Sequence, residues 1–100
     1  MSLAGFRTYQ LAKEFYFECQ SLKLTTSLRD QLSRASSSIC LNLAEGSTRP
    51  TRKDKLRLYS IAFGSHRECQ AILELAKLED LNEQSDKLAA HLYKLVNQKG

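Results

Sequence analysis

The chain has 100 residues, 42% of them hydrophobic, with 15 Lys and Arg against 11 Asp and Glu for a net charge of +4. That length and apolar content suit one domain over 1–100 with one core, and four glycines and one proline among many Leu, Ala, Lys, Glu and Gln favour helix over sheet. No apolar run reaches membrane-spanning length, and the opening MSLAGFRTYQ lacks the charged start, apolar core and cleavage site of a signal peptide, so a cytoplasmic protein is expected.

At helical periodicity the first helix is expected from Phe6 to Lys23, with Leu11, Ala12, Phe15, Cys19 and Leu22 on one face. The second is expected to begin at Ser27, where Ser27 and Asp30 fit a capping box. Its apolar stripe is Leu28, Leu32, Ala35, Ile39 and Leu43, and Gly46 is placed to take the left-handed position beyond its end. Pro50 keeps Arg49 extended, and Thr51 with Asp54 offers a second capping box for the third helix. That helix carries Leu58, Ile61, Ala62, Ser65, Cys69, Ile72 and Ala76 inward. The fourth starts near 80–82 and turns Leu88, Leu92 and Leu95 to the core. The connections are short, so consecutive helices are expected to be antiparallel neighbours in an all-α, up-down-up-down four-helix bundle.

Some large apolar side chains fall off these stripes. Phe17 and Leu41 lie almost opposite the core faces of their helices, and Leu56, Tyr59 and Phe63 form a second stripe on the third. Second apolar faces on three helices predict a subunit interface and a homo-oligomer.

Little in the sequence points to catalysis, a metal or a cofactor. Neither His66 nor His91 follows a Glu by three residues, so the Glu-x-x-His pattern of di-iron bundles is absent. Cys19, Cys40 and Cys69 are odd in number and form no C-x-x-C pair, and read as reduced, largely buried thiols. Ser36, Ser37 and Ser38 sit within a helix rather than on a nucleophile turn. The chain is expected to be no enzyme.

Charge is more informative. Arg49, Arg52, Lys53, Lys55 and Arg57 are crowded around the second turn and opposed there only by Asp54. Basic side chains beside a helix N-terminus suit phosphate, so these five are the candidate nucleic-acid contacts. A protein-binding scaffold in which the basic turn only aids solubility is the competing reading. The polar stretch before the turn reads as a structural seam of Ser38, Asn42, Glu45, Ser65 and Glu68. Folding the second and third helices back on one another sets Glu45 near Arg57, while Gly64 and Ser65 remove bulk where the helices meet.

Two motifs carry a family resemblance. Ser38, Asn42, Ala44, Glu45 and Gly46 spell S-x-x-x-N-x-A-E-G ahead of the basic segment. Arg57, Ser60, Ile61, Ala62, Gly64, Ser65 and Glu68 spell R-x-x-S-I-A-x-G-S-x-x-E after it. Together they resemble the four-helix bundle proteins encoded within intervening sequences of bacterial 23S ribosomal RNA genes, over nearly the whole chain. The resemblance implies a cytoplasmic bacterial protein and a ring-like homopentamer. It also implies a relation to the accessory proteins of diversity-generating retroelements, which bind nucleic acid and a reverse transcriptase.

Overall fold

The computed structural model describes residues 2–98; Met1, Lys99 and Gly100 of the expected 1–100 domain lie outside the described residues. The chain forms a short 3-10 turn, Leu3–Gly5, then helices α1 (Arg7–Gln20), α2 (Thr26–Ser47), α3 (Arg52–Leu75) and α4 (Asn82–Val96), with no strand among the described residues. None of these helices is long and apolar enough to cross a membrane. At about 1.5 Å per residue α3 is roughly 36 Å long, which accounts for most of the 41 Å long axis.

The four helices form an all-α bundle around one apolar cluster. Leu11, Ala12, Phe15 and Cys19 of α1 meet Leu32, Ala35, Ile39 and Leu43 of α2, Ala62, Cys69, Ile72 and Leu73 of α3, and Leu88 and Leu92 of α4. Ser38 of α2 bonds Ser65 of α3, and Gly46 lies under Tyr59, so numbering rises along one helix as it falls along the other. Phe63 against Tyr93 and Gln70 against Ser85 give the same opposed relation between α3 and α4.

Thr51 caps α3 as its position predicts, its hydroxyl accepting from the Asp54 amide at 3.2 Å. Two expectations about the ends of α2 are corrected. The cap of α2 is Thr25, not Ser27: its hydroxyl accepts from the Leu28 amide, and this earlier start leaves both Leu24 and Leu28 packed on the core. Gly46 lies inside α2 rather than beyond it, since a Cβ there would stand 2.7 Å from Cε1 of Tyr59 and 3.3 Å from Cβ of Leu58. Its missing side chain lets α3 approach. The left-handed residue is Lys77, at φ 57°, just past α3. The Leu78 amide reaches the Leu73 carbonyl and the Lys77 amide that of Glu74, the paired bonds of a Schellman ending.

Gly64 does not ease helix approach; a Cβ there would meet nothing within 4 Å. Ile61, expected inside, is 43% exposed, because it stands about 100° around α3 from the fully buried Ala62.

Candidate nucleic-acid interface

The turn between α2 and α3 is closed by its own side chains. Thr48 donates its hydroxyl proton to the Glu45 carbonyl at 2.9 Å, and Ser47 donates to Ala44 at 2.7 Å. Lys55 reaches back from α3 to the last carbonyls of α2, with Nζ 3.0 Å from the Ser47 oxygen and 3.4 Å from that of Gly46. An ammonium there satisfies orphan carbonyls and complements the negative end of the helix.

The five cations therefore divide. Lys55 holds the α2 terminus, Arg49 pairs with the Glu45 carboxylate one turn before it, and Arg52 donates to the Gln98 main-chain carbonyl. Lys53 and Arg57 are exposed and make no hydrogen bond or ion pair among the described residues. Glu45 thus meets Arg49 and not Arg57, since α2 continues past Gly46 and brings Arg49 round onto the same face. Both partners are close to half exposed, so this pair contributes little stability.

A polar seam joins α2 to α3 beside the turn. The Asn42 amide donates to the Ser38 carbonyl at 2.9 Å and to the Ser38 hydroxyl oxygen at 3.0 Å. Ser38 and Ser65 hydroxyls lie 2.9 Å apart. Either hydroxyl can donate across that contact, since Ser38 Oγ keeps a second lone pair after accepting from Asn42. Of the five residues expected in the seam, these three are joined, while Glu45 turns to Arg49 and Glu68 stands exposed at the edge of a polar groove with Gln31 and Arg34.

The residues expected at an oligomer interface also divide. Phe17 and Leu41 are 62% and 67% exposed and line one groove between α1 and α2, of about 290 Å³, together with Tyr9, Lys13, Tyr16, Ser37 and Cys40. Leu56 and Phe63 are half-buried on α3, with Phe63 edge-on to the exposed Tyr93 and the Arg67 guanidinium 5.5 Å above its ring. Tyr59 is a correction: it is 4% exposed and belongs to the core, its ring seated over Gly46 and 6.0 Å from that of Phe6.

Sequence reasoning missed one polar cluster. His66 is fully buried, its ring edge-on to Phe15 at 5.2 Å. Its Nε2 lies 3.0 Å from the Ser85 carbonyl oxygen and 3.2 Å from the Ser85 hydroxyl, which also accepts from Gln70. Nδ1 is buried without a partner. A bare acceptor there is less costly than a stranded N–H, so the proton sits on Nε2 and points to the carbonyl. The imidazole is thereby unable to take a proton from Ser85. Burial lowers the His66 pKa from 6.5 to about 4, against the raising effect of the Ser85 carbonyl. The signal was present in the sequence, because His66 shares the face of Ala62 and Cys69.

The three cysteines are free thiols. Burial pushes them upward, Cys40 to about 11 and Cys19 to about 12, and Cys69 higher still, which keeps them protonated and poorly nucleophilic. Among the described residues no group of His, Cys, Asp and Glu is arranged to hold a metal ion.

Fold and site together define a small all-α bundle protein with a polar inter-helix seam and a basic turn. The chain belongs to the 23S rRNA-intervening sequence protein family, whose family model matches residues 6–98. No curated protein and no solved structure gives a significant match.

Proposed function

We propose that this chain is a non-enzymatic, cytoplasmic, homo-oligomeric bundle of up-down-up-down topology that associates with RNA through the α2–α3 turn. The observation that carries the RNA reading is the pair Lys53 and Arg57, exposed and unengaged beside a turn whose other cations secure its shape. Binding through such side chains is governed by phosphate, so it is weak, salt-sensitive and indifferent to sequence. The opposed numbering of α2 and α3, and of α3 and α4, supports the topology. The committed Nε2 proton of His66 supports a non-catalytic role.

Oligomer formation rests on two apolar patches carried by different helix pairs, Phe17 and Leu41 on α1–α2 and Leu56 and Phe63 on α3–α4. Dissimilar patches favour head-to-tail contacts, which close into rings such as the pentamer. The exposure of Phe17 and Leu41 also favours a second reading, a scaffold for another protein, a reverse transcriptase among the candidates.

The deciding experiment compares the wild type with Lys53→Ala/Arg57→Ala in RNA retention at low and raised salt. Weaker binding with a flatter salt dependence is expected in the variant. Equal retention would remove the turn as an RNA site and move the scaffold reading ahead.

A further inference from the structure

Lys53 and Arg57 are not alone at their end of the bundle. Phe6, just before α1, packs on Tyr59 of α3, Tyr59 covers Gly46 near the end of α2, and Arg52 at the start of α3 bonds Gln98 beyond α4. These interactions gather the start of α1, the end of α2, the start of α3 and the end of α4 into one end face. Arg7, the first residue of α1, and Lys94, in the last turn of α4, therefore share that end with Lys53 and Arg57. All four are exposed, and none makes a hydrogen bond or ion pair among the described residues. The α3–α4 connection and its flanks, at the other end, carry Glu74, Glu79, Asp80, Glu83 and Asp86 against Lys77.

We infer that this end face binds double-helical RNA through its phosphates, with Arg7 and Lys94 completing a surface that Lys53 and Arg57 begin. The inference rests on the RNA reading above and names the form of RNA and two further residues. The bundle is 21 by 19 Å in cross-section, so cations on α1, α3 and α4 are held apart on a rigid frame. A duplex presents phosphates at fixed spacing to such a frame and is recognised by shape and backbone rather than by base edges.

Unpaired RNA is held differently, by stacking bases on exposed rings. Of the rings near this end, Phe6 and Tyr59 are buried, Tyr9 is half-buried in the α1–α2 groove, and Tyr93 is 57% exposed with its ring edge-on to Phe63. The far end also carries Lys23, Arg29 and Lys87, but carboxylates outnumber cations there, so the charge asymmetry orients the molecule with its basic end toward the RNA.

The test uses fluorescence anisotropy with an RNA duplex and an unpaired strand of equal length, each at two salt concentrations. The proteins are the wild type, Arg7→Ala/Lys94→Ala, and Lys23→Ala/Lys87→Ala as a variant of equal charge change away from the end face. The wild type is expected to bind duplex about tenfold more tightly than strand. Arg7→Ala/Lys94→Ala should weaken duplex binding and reduce the salt slope by roughly two units, one for each phosphate that is no longer neutralised. Lys23→Ala/Lys87→Ala should leave both nearly unchanged. Equal weakening in the two variants, or tighter binding of the strand, would overturn the inference while leaving RNA association standing. Failure of the wild type to bind either RNA at low salt would instead end the RNA reading, and this inference with it.

Discussion

Acid should loosen this bundle through one side chain. His66 is fully buried and its pKa lies near 4, below the 6.5 it regains on unfolding. The folded state therefore binds fewer protons than the unfolded state between these values, and stability falls as pH falls through that window. Above pH 6.5 the contribution is fully present; below about 4 both states are protonated and stability falls no further on this account. At about 1.4 kcal/mol per pH unit the interval corresponds to about 3 kcal/mol. The physical cause is specific: a second proton must go to Nδ1, which is buried and has no acceptor.

His66→Phe removes the titration and keeps an aromatic ring against Phe15. It should cost about 1 kcal/mol at pH 7 by removing the hydrogen bond to Ser85, and then lose much less stability than the wild type by pH 4. Urea unfolding at several pH values measures both curves, and their difference cancels the carboxylates common to the two proteins. Curves that stay parallel from pH 7 to 4 would refute the argument.

Two backbone predictions are independent of pH. Gly46→Ala places a methyl against the Tyr59 ring and should destabilise by about 1–3 kcal/mol despite a better helix propensity, whereas Gly64→Ala, facing open space, should stabilise by up to about 1 kcal/mol. Thermal melts of the pair check this, and equal shifts would mean that α2 and α3 do not meet closely at Gly46. Lys77→Gly relieves a left-handed backbone and should raise stability by about 1 kcal/mol, seen as a higher urea midpoint at unchanged slope.

The four helices were legible because their apolar stripes recur at helical spacing, and Thr51 because one cap residue stands alone before Asp54. Ambiguity arose where residues competed. Thr25 and Ser27 are both competent caps, and only packing of Leu24 and Leu28 on the core separates them. Tyr59 sits with Leu56 and Phe63 on one apolar stripe, and its burial depends on a glycine across the interface that local pattern cannot reveal. Gly46 looked like a helix end because glycine suits one, yet its small size serves the approach of α3 while a lysine takes the left-handed position. The basic cluster was visible as charge. What the sequence does not display is that Lys55 and Arg52 have backbone carbonyls to hold, which changes which cations face outward.

The placement of Cys40 gives the α1–α2 groove a built-in reporter. Cys19 and Cys69 are sealed in the core, whereas Cys40 is half-buried and lines the groove beside Phe17 and Leu41. A small thiol reagent should therefore label one position first, slowly, because the thiol is pushed up to about 11. Anything that settles over Phe17 and Leu41, whether a second copy or another protein, should slow that labelling further, and dilution that frees the groove should restore it. Its rate thus becomes a footprint of occupancy, read without adding a label elsewhere or altering a single residue.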